Sequence, residues 1–332
     1  MTTQVTAYPT DDRALVAEII PHLEAERMRS AKAFYIAFVV LLATGGGVAI
    51  ALNSAPYDIT PVAIVGGLGL ASFIYSLWFA FSRQGEFAGA FGRWQDERVM
   101  NSLDPNCDFD AARHIESEEY DRSGLFPDEY NGFTGGNFVH RKVGETDMAG
   151  SNLNVTYSWE TTRTETSTDS QGNTQTRTVT DSHTETRFSG LLLRFDAAKE
   201  FEGWVYIDPR REAHRRDGTV EVLLPSSEFM DRFTVSATDE FTAHYLLSPA
   251  TLERMLALKA RFQQPIHMSF VRGALYLALP GVDLDFGDAP GLFHSVSEES
   301  VLGVVAKCRQ SLSFLDSLVE QLDLNTRIWT KQ

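Results

Sequence analysis

The side chains best suited to metal binding or to proton transfer near neutral pH are the eight histidines, His22, His114, His140, His183, His214, His244, His267 and His294. None falls in an H-x-x-x-H or H-x-E spacing, which would set two ligands on one helix face. The two cysteines, Cys107 and Cys308, stand far apart and outside any C-x-x-C pattern, so neither a disulfide framework nor a structural metal site is encoded. No nucleophile elbow, Walker loop or dinucleotide fingerprint occurs, and the cluster Gly66-Gly67-Leu68-Gly69 lies inside an apolar run that no phosphate would reach. Asp283 and Asp285 are spaced for acid-base work, but in a chain with 45 acidic residues they read as a solvated turn. The sequence therefore predicts no catalytic residue, no metal and no cofactor.

One basic cluster breaks the acidic background. DPRREAHRRDG carries Arg210, Arg211, Arg215 and Arg216 between two strand-like runs. Facing a bilayer, these side chains would meet anionic head groups at about 1 kcal/mol each; facing the protein, they would pair with its own carboxylates. The balance of 45 acidic to 29 basic residues, a formal charge of −16, argues against a nucleic-acid partner bound through a broad basic surface.

Such loops need a body to hold them, and the chain begins with an anchor. Residues 33–52 (AFYIAFVVLLATGGGVAIAL) and 61–82 (PVAIVGGLGLASFIYSLWFAFS) carry no ionisable group of the kind that relays ions. Each is close to the ~20 residues that cross a bilayer core. The link NSAPYDIT holds Asp58 and no Lys or Arg, whereas Arg27, Arg29 and Lys32 precede the pair and Arg83, Arg93 and Arg98 follow it. The positive-inside rule then predicts a two-pass membrane protein with both termini and the main domain cytoplasmic. Small residues recur every fourth position, Ala43, Gly47 and Ala51 in the first span and Ala63, Gly67 and Ala71 in the second, as in helix pairs that approach closely.

The expected organisation is an N-terminal amphipathic segment (1–32), kinked at Pro21 and lying near the membrane surface; a transmembrane helical hairpin (33–82); a helical linker (83–110) through Phe87, Phe91 and Trp94; and a cytoplasmic α+β domain (111–332). In that domain short apolar runs separated by Gly, Asp and Pro predict an antiparallel sheet: GLLLRF (190–195), GWVYI (203–207), VEVLL (220–224), and a hairpin IHMSFV/ALYLAL turned at Arg272-Gly273. Ser248-Pro249 predicts a helix start. Ser295 with Glu298 resembles a capping box ahead of a long stripe through Val301, Val305, Cys308, Leu312, Leu315, Val319 and Leu322, which places Cys308 in a core.

From 155 to 188 Thr or Ser recurs at alternate positions, among them Thr162, Thr164, Thr166, Thr174, Thr176 and Thr178, with Arg163, Glu165, Arg177 and Asp181 on the other face. Period two predicts two strands turned at DSQGN. A hairpin polar on both faces projects from the body, specifies its register weakly, and is a candidate assembly element.

The blocks SGLF (123–126), FSGLLLRFD (188–196), FMDRFTVSATDEFTAHYLLSPATLERMLAL (229–258) and LDLNTRIW (322–329) resemble an uncharacterised bacterial family, domain of unknown function 3137, over most of the chain after Ser123. The resemblance implies two membrane helices followed by a cytoplasmic domain, implies no activity or cofactor, and suggests a membrane protein of the LemA type as partner. The leading expectation is a membrane-anchored, non-enzymatic interaction or scaffold protein that assembles as an oligomer. A lipid- or small-ligand-sensing domain using the Arg210 to Arg216 loop is the alternative. A third is an enzyme whose site converges only in three dimensions.

Overall fold

The computed structural model describes residues 10–54, 60–168, 174–196, 201–291 and 295–324. It divides into two compact units, one made of residues 1–105 with 286–310 and the other of 106–285 with 311–332.

The first unit is helical. Helix α1 runs without a break from Thr10 to Ser54, Pro21 included, and α2 runs from Thr60 to Trp94. The expected surface-lying segment 1–32 is thus, over its described residues, the first part of the long helix. Its buried side is a helical stripe through Val16, Leu23, Arg27, Ser30, Ala33 and Ala37. Helix α1 is long and apolar enough to cross a membrane; the described apolar stretch of α2, Gly67–Phe79, is shorter. The helix continues through a π-helical segment, Gln95–Met100, into a last turn, α3 (Asn101–Leu103).

Phe87, Phe91 and Trp94 are buried as their spacing predicts. The buried Gln95 amide, on the π segment, donates to the Phe286 carbonyl at 2.5 Å and to Cys308 Sγ at 3.4 Å. Arg309 reaches Asp12 at 2.8 Å, and Glu24 accepts from the Val296 backbone at 3.0 Å. These bonds place 286–310 with the N-terminal helices and not, as the single domain 111–332 implied, with the rest of the C-terminal region.

The second unit is built on one nine-stranded antiparallel sheet: β1 (Asp108–Asp110), β2 (Gly132–Val143), β3 (Thr146–Thr168), β4 (Thr174–Asp196), β5 (Trp204–Pro209), β6 (Val220–Glu221), β7 (Phe233–Ala237), β8 (His267–Val271) and β9 (Ala274–Pro280), in the order β1-β2-β3-β4-β9-β8-β5-β7-β6. The β8/β9 hairpin turns at Arg272 and Gly273, both at positive φ (48° and 78°), as a two-residue primed turn requires. Of the run VEVLL only Val220–Glu221 is strand.

The central strands are buried on both faces. Tyr206, Tyr276, Leu192 and Val271 join Tyr120 and Leu125 on one side. The helices of this unit are α4 (Ser117–Ser123), α5 (Ser227–Arg232), α6 (Glu240–Leu246) and α7 (Pro249–Arg261). Asp239 caps α6, and Ser248 caps α7 with Pro249 as its first residue, the start that Ser248-Pro249 predicts. The last helix, α8 (Glu298–Leu322), lends its second half to this unit, where Phe262 meets Phe314 edge to face and Arg141 pairs with Asp316 at 3.1 Å. Every residue of the predicted α8 stripe is buried, Cys308 included. Its cap sits two residues later than expected: Ser297 and Ser300 exchange side-chain and backbone bonds at 3.1 and 3.2 Å, so Ser297 takes the part assigned to Ser295.

Candidate functional site

The longest strands of the sheet outrun their neighbours. β3 and β4 have 23 residues each and pair along their whole described length, but β2 pairs with β3 only as far as Thr156 and β9 pairs with β4 only from Gly190. Beyond those points 157–168 and 174–189 form a two-stranded arm. At about 3.4 Å per residue it extends some 40 Å. The Asn131 side chain seals the junction by mimicking one more strand residue: Nδ2 donates to the Ser158 carbonyl at 2.6 Å and Oδ1 accepts from the Ser158 amide at 2.8 Å. Past Ser158 the outer edge of β3 pairs with no strand among the described residues.

Within the arm Thr162 lies opposite Thr180, Thr164 opposite Thr178, Thr166 opposite Thr176 and Thr168 opposite Thr174. Thr162, Thr164, Thr176 and Thr178 are exposed, while the side chains of Thr166 and Thr174, like the turn 169–173, lie outside the described residues. The other face carries exposed ion pairs, Arg163 with Asp181 at 3.4 Å and with Glu165 at 3.1 Å, each worth little in water. At the base Trp159 stacks on His183 at 5.3 Å, and the His183 ring nitrogen meets Thr161 Oγ1 at 2.9 Å. With polar side chains on both faces, nothing in the arm forms a core of its own.

The basic loop follows β5, and the structure splits its four arginines. Arg216 is not at the surface: its guanidinium grips the buried Asp208 carboxylate at 2.7 and 3.2 Å, donates to the carbonyls of Gly124 and Leu125 at 2.6 and 2.7 Å, and lies 4.1 Å over the Tyr206 ring. His267 Nδ1 meets Oδ1 of the same carboxylate at 3.1 Å, sharing that oxygen with Arg216, and its Nε2 faces Glu212 at 3.5 Å. Arg210 is held by the Met230 carbonyl. Only Arg211 and Arg215 are exposed without such an anchor shown, so the four-arginine lipid contact loses the side chain that the fold needs inside.

The network arises because β5 and β8 pair with Tyr206 opposite Ser269, which carries Asp208 and His267 onto the same face. Burial opposes ionisation of Asp208, yet the hydrogen bonds from His267 and Arg216 and the Arg216 charge hold its pKa below the ordinary aspartate value. Burial also pushes the pKa of His214 down. A polar residue at the end of the buried run WVYI was the available signal, but its partners lie in three other segments.

A second feature escaped the sequence reading. Phe241 and Tyr245, one turn apart on α6, stack with rings 6.4 Å apart and 6° from parallel, and Phe241 is 79% exposed. They border a cleft of about 640 Å³ whose wall includes Glu202, Thr238 and Asp239. Asp239 is held below the usual carboxylate range by the amide and hydroxyl of Thr242, so its charge serves the helix start. Asp283 and Asp285 are exposed, and no group of His, Cys, Asp and Glu suited to a metal occurs among the described residues.

Between α1 and α2 close approach occurs at Gly69, where an added Cβ would sit 2.1 Å from the Thr44 methyl. Gly67 has open space around it; Ala43 and Ala71 are exposed, Gly47 is half-buried, and the side chains of Ala51 and Ala63 lie outside the description. The close approach shown therefore joins Thr44 to Gly69, one residue from Ala43 and two from Gly67 in the small-residue series. Gly69→Ala is expected to weaken the helix pair by about 1–3 kcal/mol, and Gly67→Ala to leave it unchanged. Thermal melts in detergent, with Thr44→Ala as the compensating change, check this.

Comparison with known families meets the same segment that carries β4 to α8. Residues 186–324 match the family model described as protein of unknown function, DUF3137. That match takes in less than half of the chain. It includes FSGLLLRFD and the long block 229–258, while SGLF and the residues after 324 fall outside, so the match is shorter than the expected stretch from Ser123. The matched segment thus contains Asp208, Arg216, His267 and the α6 aromatics, but of the arm only the base of β4. No curated protein matches the chain. A solved structure, the mycobacterial trehalose monomycolate transport factor A, TtfA, is similar at 8% identity over 69% of this chain and 96% of that one, with a TM-score of 0.30; at that score the likeness carries no argument.

Proposed function

We propose that this chain is a two-pass membrane-anchored interaction protein that holds a protein partner at the cytoplasmic face through its DUF3137-containing sheet domain. The observation that carries the reading is the belt of exposed apolar side chains on α1 and α2. Tyr35 (69%), Ile50 (69%), Leu68 (70%) and Trp78 (63%) stand open, together with Ile36, Phe38, Leu42, Ile74 and Phe81. Soluble surfaces rarely show so continuous an apolar patch, and a bilayer is the solvent that suits it. The cytoplasmic side follows from the Arg and Lys flanks of the helix pair. The interaction role rests on the arm, a long two-edged ribbon whose outer part pairs with no further strand among the described residues.

Single cysteines labelled with a membrane-impermeant maleimide test the topology. Asp58→Cys is expected to react in intact spheroplasts, and Thr180→Cys only after lysis; the reverse order would sink the orientation. For the arm, replacing residues 162–180 with Asn-Gly should leave the melting temperature of the sheet domain within a few degrees and remove the native-gel assembly. An unchanged assembly would defeat the interaction role.

A further inference from the structure

We propose that the arm is a self-complementary edge, and that two copies of this chain join by pairing the outer edges of β3 antiparallel about a two-fold axis through Thr164. The inference rests on reading the arm as an interaction element and adds its partner and register. Ser158 both donates its amide and accepts at its carbonyl on the outer side, to Asn131. Backbone direction alternates along a strand, so Glu160, Thr162, Thr164, Thr166 and Thr168 also turn their N–H and C=O outward. A two-fold axis at Thr164 therefore makes it a hydrogen-bonded pair with the partner's Thr164, each N–H donating to the other's carbonyl. The same register sets Thr162 opposite the partner's Thr166.

The charges settle the register. In the intervening non-hydrogen-bonded positions side chains stand closest, and there Arg163 falls opposite the partner's Glu165 and Glu165 opposite the partner's Arg163. Both are exposed in the single chain, at 63% and 54% of their side-chain surface. Centring on Thr162 instead sets Trp159 opposite Glu165 and leaves Arg163 facing Thr161. On the outer edge of β4 an axis at Asp181 opposes two aspartates and one at Ser182 opposes Arg177 and Arg187, while one at Thr184 sets Asp181 opposite an Arg187 that is only 20% exposed and already holds Glu185 and the Glu129 carbonyl. The sheet's other edges, β1 and β6, are strands of three and two residues, too short to hold a partner alone.

The symmetry makes the test specific, because one substitution changes two contacts. Sedimentation velocity on the full-length protein in detergent, over a range of concentrations, reads the monomer–dimer equilibrium, with thermal melts confirming that each variant is folded. Arg163→Glu and Glu165→Arg are each expected to weaken dimerisation about thirtyfold. The double variant R163E/E165R should restore it. Mixing the two single variants should also restore it, as a heterodimer, since each glutamate then meets an arginine. A wild type that stays monomeric, a dimer indifferent to the single swaps, or a mixture that does not reassociate would each overturn the proposal. If those results appear while arm replacement still abolishes a native assembly, self-pairing fails and the interaction reading stands; if arm replacement changes nothing, that reading fails first.

Discussion

Asp208→Ala is expected to destabilise the sheet domain by about 3–5 kcal/mol, the range for removing one partner of a buried ion pair. The size follows from what remains: Arg216, with 6% of its side chain exposed, and His267, with 2%, both lose the carboxylate that compensates them. Water does not reach either group in the folded state, so the exposed reference that makes surface pairs cheap is absent. Asp208→Asn keeps the shape and acceptor oxygen but not the charge, and should fall between wild type and Ala. Arg216→Met should also be costly, since it strips the carbonyls of Gly124 and Leu125 of their donors as well. Because the two side chains act as a unit, the double variant is expected to cost clearly less than the sum of the singles. Urea denaturation followed by tryptophan fluorescence measures each value; additive losses would show that the groups act independently.

The same network sets an acid limit. Asp208 titrates below the ordinary aspartate value in the fold, so its contribution is fully present above about pH 4 and disappears as pH falls through the lowered folded value. His214 is held neutral by burial, so folding must exclude a proton that the unfolded chain takes up below about pH 6.5. Both groups make the unfolded state the better proton binder, and stability should decline as pH falls, first with His214 and then with Asp208. His214→Gln is expected to flatten the upper part of that decline, read as the urea midpoint between pH 7 and pH 5.

Gly190→Ala should cost about 3 kcal/mol, combining backbone strain with a clash that cannot relax. Gly190 has φ of +149°, and a Cβ there would lie 2.3 Å from the Leu279 carbonyl oxygen and 2.9 Å from the Gly281 nitrogen. Those atoms belong to the backbone at the end of β9, where the Gly281 amide donates to the Ser189 carbonyl at 2.9 Å and β4 leaves its neighbour to become the arm. Gly218 offers the control: its φ is +76°, but open space surrounds it, so Gly218→Ala should cost only about 1 kcal/mol. If the two substitutions cost the same, close approach at the root of the arm is not what demands glycine. Hydrogen exchange should further show that Gly190→Ala loosens Leu191 to Leu193 before the rest of the sheet.

Read alone, the sequence determined most of the features whose signal is local. Apolar length marked α1, period-two threonines marked β3 and β4, Arg272-Gly273 marked the β8/β9 turn, Ser248-Pro249 marked a helix start, and a helical stripe buried Cys308. These depend on backbone preferences and side-chain periods within one turn or strand, which neighbours rarely override. The tertiary structure alone decided what depends on meeting a distant segment. Gly69 and not Gly67 approaches Thr44, because helix rotation is set by all contacts along the pair. Residues 286–310 join the N-terminal helices through Gln95 and Asp12. Arg216, read as one of four equivalent surface cations, is buried because Asp208, itself held by His267, and two carbonyls from 124–125 converge on it. A charge is worth burying only where enough partners meet it, and partners that are 8, 91 and 92 residues away along the chain become neighbours only when strand register and loop closure bring them together.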